Sequence, residues 1–258
     1  MSMYIVAHKK FDPPIQSGYL PLQVGKGDPL FAGKFLRDCT GESIAEKNST
    51  YCELTALYWI WKNCTDPIVG LCHYRRFFTQ NALSRHPRHF LSMERAQEVL
   101  EDYDLILPQK VHLKCTVREQ YFSTQAGFAR DLDRLEQVIH EHFPEYAAAY
   151  QKVMGQRAQH FWNMLVVPRP LLDAYCSWLF AVLDRMEEVT DLSGYDTRQR
   201  RIYGYLAERL INVWVEKQQL RVFECPVVQT DRSRWAVVKT GLGIQGRRVR
   251  AALRGIRS

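Results

Sequence analysis

The residues best suited to chemistry follow a short apolar stretch in DPIVGLCHYRRFF, residues 66–78. Residues 68–72 are typical of a buried strand, and the chain then reads His73, Tyr74, Arg75 and Arg76 without a break. Guanidinium groups bind phosphate oxygens through a planar fork of donors, so this pattern indicates a site for an anionic ligand, most naturally a diphosphate. The alternative, a strand that ends in solvent, is disfavoured because residues 77–78 are apolar again.

A second cationic cluster follows the first predicted strand. The segment MYIVAH, residues 3–8, ends at His8, and Lys9 and Lys10 come next. Ligands of open α/β sheets bind outside the carboxyl ends of the strands. We therefore expect the two cationic clusters to converge on one pocket. The alternative is that these charges only solvate the edge of the sheet.

Several common catalytic and metal-binding motifs do not occur in the sequence. There is no Gly-x-x-x-x-Gly-Lys-Ser/Thr loop, no Gly-x-Gly-x-x-Gly fingerprint and no Gly-x-Ser-x-Gly elbow, which disfavours kinases, dinucleotide-dependent dehydrogenases and hydrolases. Asp131 and Asp133 have Asp-x-Asp spacing, but they fall at a predicted helix start, where Asp is favoured structurally. His140 and His142 point to different sides of that helix. We therefore expect no metal site.

Charge and composition limit the class of partner. The 258 residues carry a net charge of +7 with a pI near 9.0, which suits nucleic acid, an anionic membrane surface or a phosphorylated substrate. Nucleic acid is disfavoured, because the basic residues gather at strand ends and near the C-terminus and no base-stacking motif occurs. The seven cysteines form no Cys-x-x-Cys pair, which is typical of reduced thiols in the cytoplasm.

Residues 239–258 form a tail whose composition differs from that of the preceding chain. They contain five arginines among apolar residues at helical intervals, and no acid occurs after Asp231. Two interpretations stay open: a solvated, disordered tail, or a basic amphipathic helix on an anionic bilayer. No apolar run reaches the roughly 20 residues of a membrane span, and the N-terminus is typical of a strand rather than of a secretory signal. We expect a cytoplasmic protein, with peripheral attachment to the inner face of the cell membrane as an option.

Alternating strands and helices must position these groups. Strands are predicted at 3–8, 19–25, 68–73, 103–109, 161–168 and 221–229, and helices at 51–63, 92–103, 116–143, 170–189 and 197–219. Residues 28–42 are predicted to form a loop, and Pro144 to open a further helix. This alternation predicts an α/β fold: a single Rossmann-like domain at 1–238, with a mostly parallel central sheet flanked by helices, and the basic tail at 239–258.

The sequence also resembles a known family. The segments NSTYCELTALYWIWKN and IVGLCHYRRFF are followed by YDLILP, FWNMLVV, YCSWLFAVLD and RQRRIYGYLAERL. Together these motifs resemble glycosyltransferase family 111, formerly domain of unknown function 4422, over roughly residues 3–225. Its members are galactofuranosyltransferases of bacterial surface-polysaccharide synthesis, such as that of capsule or O-antigen.

The resemblance implies a GT-A-like fold and an inverting transfer of galactofuranose from UDP-galactofuranose to a hydroxyl of a lipid-linked or surface-polysaccharide acceptor. It implies no cofactor beyond the UDP-sugar co-substrate. His73, Arg75 and Arg76 would take the place of the Asp-x-Asp that binds a divalent metal in related folds, so no metal is expected. The expected partners are the UDP-sugar donor and a glycan or glycolipid acceptor. The oligomeric state is not specified by the sequence.

The expected donor-binding residues are the two cationic clusters and polar side chains around them. They are His8, Lys9, Lys10, Lys47, Asn48, Tyr51, Glu53, His73, Tyr74, Arg75, Arg76, Asn163, Gln199 and Arg201. The first three are expected at the uridine-diphosphate end, and Lys47, Asn48 and Tyr51 belong to the set by the family pattern. Asn163, a polar residue in an apolar run, has an equally good alternative as a buried structural amide.

The transfer also needs a carboxylate that takes the proton of the acceptor hydroxyl. The candidates are Asp38, Glu42, Glu53, Asp196 and Glu208. Asp38 is favoured because it lies in the loop after the second strand, and Glu208 because it shares a helix face with Arg201. The choice between these two stays open. Glu208 has the alternative of an intrahelical ion pair, and Glu53 that of a cap or a buried partner of Arg75.

One segment departs from the family pattern. The family usually shows Asp-Asp-Thr-Gly-Asp-Asn-Ile-Ser before the first helix, whereas this chain reads RDCTGESIAEKN, with Cys39, Glu42 and Ala45 off the pattern. Two alternatives therefore stay open. One is transfer of another UDP-hexose, and the other is a non-catalytic sugar-nucleotide-binding module of a glycan-assembly complex.

Overall fold

The computed structural model of the chain describes residues 1–30, 35–124 and 126–233. The predicted tail at 239–258 and the predicted domain boundary at 238 lie outside the described residues. Within them, the strands are β1 (Ser2–Ala7), β2 (Tyr19–Gln23), β3 (Leu36–Arg37), β4 (Ile68–His73), β5 (Arg76–Phe78), β6 (Leu105–Pro108), β7 (Val111–His112), β8 (Ala158–Gln159), β9 (Leu165–Pro168), β10 (Val222–Cys225) and β11 (Val227–Gln229).

Helices alternate with these strands along the described chain. They are α1 (Asn48–Tyr51), α2 (Leu54–Asn63), α3 (Met93–Asp102), α4 (Val117–Ser123), α5 (Ala129–His142), α6 (Ala147–Gly155), α7 (Arg169–Val189) and α8 (Ile202–Gln218). Ser92 caps α3 as its sequence indicates, because its hydroxyl accepts a hydrogen bond from the Arg95 N–H. No helix of the described chain is long and apolar enough to cross a membrane.

The central sheet has the strand order β10-β6-β9-β4-β1-β2-β3. Strand β9 runs antiparallel to both of its neighbours, and the other pairs along this path are parallel. The predicted fold class, a mixed α/β domain with a mostly parallel sheet flanked by helices, is confirmed. Strands β7 and β8 form a separate two-stranded ladder that the sequence does not signal, since each contributes only two residues.

Both faces of the sheet are buried, which explains the continuous apolar runs of its central strands. Tyr4 and Val6 of β1 lie in a large core with residues of α2, α7 and α8, whereas Met3 and Ile5 lie in a smaller core on the other face with residues of α3. None of the seven cysteines, all of which lie within the described residues, forms a disulfide.

The register of β1 and β4 places the ends of the two strands side by side. Val6 of β1 pairs with His73 of β4, and the Tyr74 N–H donates to the Val6 carbonyl over 3.0 Å. Both strands therefore end at the same edge of the sheet. After a turn at 74–75 the chain returns as β5, which pairs with β4 and β11 and buries Phe77. The apolar residues after the arginines thus form the second strand of a hairpin.

The predicted helix at 51–63 is divided into α1 and α2. The division falls at Cys52, whose φ of 54° is rare for a residue with a Cβ. Asn48 supports the break: its side-chain amide donates to the Cys52 carbonyl and to the Thr55 hydroxyl, at 2.7 and 3.0 Å. This local hydrogen bonding overrides the helical spacing of the apolar residues. As a result, Glu53 lies at a bend instead of within a helix.

The predicted strand at 161–168 begins only at Leu165, because the chain makes a left-handed turn before it. Trp162 and Asn163 have φ values of 78° and 49°. The Trp162 N–H donates to Glu208 Oε1 over 2.9 Å, and Asn163 Nδ2 donates to the Gly204 carbonyl over 3.0 Å. These bonds to α8 hold the turn against the strand preference of its aromatic residues.

Candidate active site

A cavity of about 540 Å³ lies where β1 and β4 end. Its walls come from these strand ends, the hairpin turn at 74–75, the bend between α1 and α2, the turn before β9 and one face of α8. The lining residues are Val6, His8, Val24, Asn48, Ser49, Cys52, Glu53, His73, Tyr74, Arg75, Arg76, Trp162, Thr197, Arg201, Gly204, Tyr205 and Glu208. Its position agrees with the general placement of ligand sites in open α/β sheets.

Three guanidinium groups give the cavity its positive charge. Arg76 is half-buried; its Nε has no hydrogen-bond partner among the described residues, and burial followed by repulsion from Arg75 lowers its pKa. Arg75 is paired with Asp231 at 3.3 Å, and both side chains are exposed. Arg201 is exposed and donates from Nε to Cys52 Sγ over 3.1 Å. An anion bound here would relieve the repulsion between these cations and supply acceptors to their N–H groups.

The histidines of the two clusters offer hydrogen bonds rather than charge. Burial, reinforced by the charge of Arg76, lowers the pKa of His73 to about 3, so its imidazole is neutral at neutral pH. His73 lines the cavity, and its Nε2 is buried without a hydrogen-bond partner among the residues described. Burial and nearby cations also lower the pKa of His8. The expectation that His73 adds positive charge to the arginines is therefore corrected.

Two carboxylates, Glu53 and Glu208, lie in the same cavity as the guanidinium groups. Burial raises the pKa of Glu53 above its usual range, and this rise is opposed by the hydrogen bond from Asn163 and by the charge of Arg201. Burial also raises the pKa of Glu208, with Arg209 opposing the rise and the neighbouring Glu53 adding to it. Carboxylates with raised pKa values beside cationic groups are typical of proton-transfer sites.

Aromatic rings lie beside the cationic groups. The Arg76 guanidinium is 5.7 Å from the centre of the Trp162 ring, and that of Arg201 is 5.5 Å from the centre of the Tyr205 ring. These are cation–π distances, which orient a guanidinium without neutralising it. On the side of β1, the His8 and Tyr74 rings meet edge to face at 5.3 Å.

Gly204 allows α8 to approach the bend between α1 and α2. A Cβ at this position would lie 3.3 Å from the Cys52 sulfur and 3.5 Å from the Tyr51 carbonyl oxygen. Gly204 also accepts the hydrogen bond from Asn163 on its carbonyl. A glycine in a helix interior costs about 1 kcal/mol relative to alanine. Here it permits the close contact that places Glu53 and Glu208 in one cavity.

The structure brings nine of the sequence-predicted site residues to the cavity wall. They are His8, Asn48, Glu53, His73, Tyr74, Arg75, Arg76, Arg201 and Glu208. Asn163 stands just behind this wall, buried, with Nδ2 donating to Glu53 Oε1 over 2.7 Å. Asn163 is thus a buried amide that contacts a cavity residue, so it combines features of both interpretations, a ligand-binding residue and a buried structural amide.

The remaining expected donor-binding residues do not line the cavity. Lys9 and Lys10 are exposed where the chain leaves β1. Lys47 forms an ion pair with Glu187 at 2.6 Å, and the Tyr51 ring packs on the Tyr203 ring with centres 4.8 Å apart. Gln199 Oε1 accepts from the Asp196 N–H over 3.1 Å. Lys47, Tyr51 and Gln199 thus contact groups of the protein outside the cavity.

Asp38, favoured above as a base, lies outside the cavity and is completely buried. Its Oδ1 accepts from the Gly25 N–H over 2.8 Å and its Oδ2 from the Thr55 hydroxyl over 2.6 Å. These bonds tie the loop after β2 to α2. Burial raises the pKa of Asp38, while the two hydrogen bonds oppose that rise. This geometry is typical of a structural carboxylate.

Several cavity residues were not expected from the sequence. Gly204 and Tyr205 follow Arg201 by three and four positions, and Glu208 follows it by seven, so helical periodicity already places all four on one face. Trp162 adjoins Asn163, but its cavity position depends on the left-handed turn, which has no signal in the sequence. Cys52, Ser49 and Thr197 carried no pattern that singled them out.

No group of three or more His, Cys, Asp or Glu side chains within the described ranges is arranged to hold a metal ion. Asp131, of the Asp-x-Asp pair, is fully buried at the start of α5. It accepts hydrogen bonds from the Tyr121 hydroxyl, the Tyr195 hydroxyl and the Phe128 N–H. The structural interpretation of Asp131 is confirmed by these contacts.

A solved structure shares this architecture. It is the apo structure of WbbM, described as a bifunctional glycosyltransferase, and it superimposes with a TM-score of 0.81 at 27% sequence identity. The match covers 90% of this chain and 45% of the WbbM chain, so it spans less than half the length of that relative. No curated protein matches the sequence.

The match to a family model agrees with the resemblance found in the motifs. Residues 2–219, which include every residue of the cavity wall, match the family described as domain of unknown function DUF4422. The matched range is well over half of the 258 residues. The chain therefore belongs to the DUF4422 family.

Proposed function

We propose that the chain is an inverting glycosyltransferase that moves galactofuranose from UDP-galactofuranose to a hydroxyl of a glycan or glycolipid acceptor. One observation carries the proposal: a single cavity at the carboxyl ends of β1 and β4 holds three guanidinium groups together with two carboxylates of raised pKa. The likeness to WbbM, a bifunctional glycosyltransferase, supports this class of reaction. The donor sugar follows from the family resemblance of the motifs.

The cationic side of the cavity suits a leaving diphosphate. As the bond between the sugar and the β-phosphate breaks, negative charge grows on the diphosphate oxygens, and fixed cations aimed at them lower the barrier. Arg76 is the best placed, because its Nε lacks a hydrogen-bond partner among the described residues and Trp162 orients its guanidinium. Arg75 and Arg201 add charge at the same cavity. We propose that these arginines do the work of a divalent metal.

The acidic side of the cavity suits the acceptor. A hydroxyl becomes a competent nucleophile when a carboxylate takes its proton, and a pKa raised towards the working pH makes that carboxylate a better base. Burial raises the pKa of both Glu53 and Glu208, and both line the cavity together with the arginines. The neutral His73 supplies a donor or acceptor for a sugar hydroxyl or a phosphate oxygen.

The experiment is a donor screen with the purified chain. UDP release is measured with UDP-galactofuranose and with other UDP-hexoses, in the presence of saccharide acceptors, and the product is identified by mass spectrometry. We expect turnover with UDP-galactofuranose that persists in EDTA, and UDP binding by calorimetry. Turnover with a different UDP-hexose would change the donor but keep the reaction class. UDP binding without turnover on any acceptor would favour the binding-module alternative, and failure to bind UDP would refute the proposal.

A further inference from the structure

We infer that Glu53 is the base for the acceptor hydroxyl, that Glu208 holds the cavity wall, and that Asn163 positions Glu53. The inference rests on the proposed glycosyl transfer. Glu53 and Glu208 line the same cavity, but the inference gives them different roles. The distinction comes from what each carboxylate oxygen already binds.

Both carboxylate oxygens of Glu208 are engaged with the protein. Oε1 accepts from the Trp162 N–H over 2.9 Å, and Oε2 lies 3.1 Å from Arg209 Nη1. The Arg209 side chain is 1% exposed, and Glu208 is the carboxylate paired with it among the described residues. A buried guanidinium without its counter-charge is strongly destabilising. Glu208 therefore already neutralises a buried cation and fixes the turn before β9.

Glu53 is bound differently. Among the described residues, the hydrogen bond that it accepts from another residue is the one from Asn163 Nδ2 to Oε1, at 2.7 Å. Its own backbone N–H also faces the carboxylate. Glu53 occupies the N-cap position of α2, yet its side chain does not cap the helix. The bend at Cys52 turns this side chain into the cavity, which leaves acceptor capacity for a hydroxyl proton.

Asn163 fixes the orientation of Glu53. Its amide is buried and donates both to Glu53 Oε1 and to the Gly204 carbonyl, at 2.7 and 3.0 Å. The left-handed φ of 49° at this position suits Asn, which tolerates that region better than most residues. An amide donor stabilises the carboxylate form without competing for a proton. Asn163 is accordingly a positioning residue.

The step conserves atoms and charge. The acceptor O–H bond breaks and its proton goes to the second oxygen of Glu53. The acceptor oxygen forms a bond to the anomeric carbon while the bond from that carbon to the diphosphate oxygen breaks, and the electron pair leaves with UDP, beside Arg75 and Arg76. Glu53 later releases the proton to solvent.

Charged groups from several elements face Glu53 and set its titration. Arg76 of β5 and Arg201 before α8 favour the ionised form. Glu208 of α8 repels it, and the thiol of Cys52 in the bend is the neighbouring titratable group. Because the base must be ionised, we expect turnover to fall at acid pH on a limb that belongs to Glu53.

The test compares four variants with wild type in turnover, UDP affinity and thermal unfolding. Glu53→Gln preserves shape and is expected to lose about 100-fold or more in turnover while its Kd for UDP stays within about threefold. The fall of turnover at acid pH should be absent from the residual activity of this variant. Glu208→Gln is expected to lower the unfolding temperature, with a turnover loss of about tenfold or less and the acid limb retained. Glu101→Gln, at an exposed acid in the last turn of α3 and outside the cavity, is the control and should match wild type.

Asn163→Asp tests the positioning role through the pH dependence of turnover, which would not change if Asn163 only stabilised the fold. It replaces the amide donor by a second carboxylate beside Glu53, so the acid limb should shift to higher pH. If the wild-type chain turns over and Glu53→Gln remains active, the inference is overturned but the proposed function stands. The same holds if Glu208→Gln loses more turnover than Glu53→Gln. A wild-type chain without UDP binding or turnover overturns both.

Discussion

Asn163 Nδ2 lies 2.7 Å from Glu53 Oε1, although 110 residues separate the two along the chain. The bond joins the left-handed turn before β9 to the bend before α2. The neighbouring residue Trp162 is bonded in turn to Glu208 of α8. Two carboxylates on different elements are thus held by adjacent residues of one short turn, which fixes their relative position independently of the sheet.

Removing one cavity guanidinium should weaken nucleotide binding. A hydrogen bond to a charged group contributes about 1.5–3 kcal/mol, so Arg76→Ala should raise the Kd for UDP by about 10- to 100-fold. Isothermal titration calorimetry measures this. Arg75→Ala should have the smaller effect, because Arg75 is exposed and already paired with Asp231. Arg95→Ala, which removes an exposed arginine of α3, is the matched control and should bind UDP like wild type. Equal affinities for all variants would contradict the diphosphate site.

Asp38→Asn should destabilise the fold more than it impairs catalysis. The substitution keeps one acceptor but places an amide N–H group where Asp38 now accepts from Thr55 or from the Gly25 N–H. An unsatisfied buried partner costs about 1–3 kcal/mol. Urea unfolding should therefore show a loss of that size, with turnover per folded molecule retained. Asp12→Asn, at an exposed position, should leave the unfolding free energy unchanged. A stable but inactive Asp38→Asn variant would instead place Asp38 in the chemistry.

Two neutral histidines, His160 in the interior and the half-buried His73, should make the protein less stable in acid. Burial lowers the pKa of His73 to about 3 and that of His160 to about 4. The unfolded chain therefore takes up more protons than the native state once the pH falls below about 6.5, the ordinary histidine pKa. Stability from these groups is full above that pH and is lost as the pH falls towards the folded pKa values.

The slope of unfolding free energy against pH measures this effect. Each such histidine contributes up to about 1.4 kcal/mol per pH unit between pH 6 and 4. His73→Gln should reduce that slope by the contribution of one histidine. His142→Gln, at an exposed position at the end of α5, should keep the wild-type slope. An unchanged slope in His73→Gln would show that His73 is protonated in the native protein.

The arginines of the tail should bind the chain to anionic membranes. Each basic residue near such a surface contributes about 1 kcal/mol at low ionic strength. Deleting residues 244–258, which removes all five arginines of the tail, should abolish cosedimentation with phosphatidylglycerol vesicles. Replacing only these five arginines by Gln keeps the apolar residues and should have a similar effect. Vesicle binding that survives the deletion would refute membrane attachment through the tail.

Much of the fold follows from local signals in the sequence. Strands β1, β4 and β6 are predicted because their apolar runs are short and β-branched and end at polar or turn residues. The rule that ligands bind at the carboxyl ends of strands then leads from the sequence to Arg76 and His73, which do lie in the cavity. Lys9 and Lys10 follow a strand end as well, but the chain turns into solvent there, and no sequence pattern signals that turn.

The parts of the site that sequence reasoning missed depend on tertiary hydrogen bonds. The apolar spacing at 51–63 favours one helix, yet the bonds of the Asn48 side chain select a bend at Cys52. Similarly, the aromatic run before Met164 favours a strand, yet α8 holds it as a turn. Asp38 was favoured as a base from its place in a loop, and only the surrounding N–H and hydroxyl donors reveal its buried position.

The short connection between β10 and β11 has a mechanical consequence. It carries one segment directly from β10, at the far end of the sheet, to β11, beside the hairpin that bears Arg75. The Thr230 N–H donates to the Arg75 carbonyl over 3.0 Å, and the Asp231 carboxylate holds the guanidinium. Tension applied to the chain beyond residue 233 would reach Arg75 within a few residues, without passing through either core. A handle attached there would pull on the cavity wall first and on the rest of the domain later.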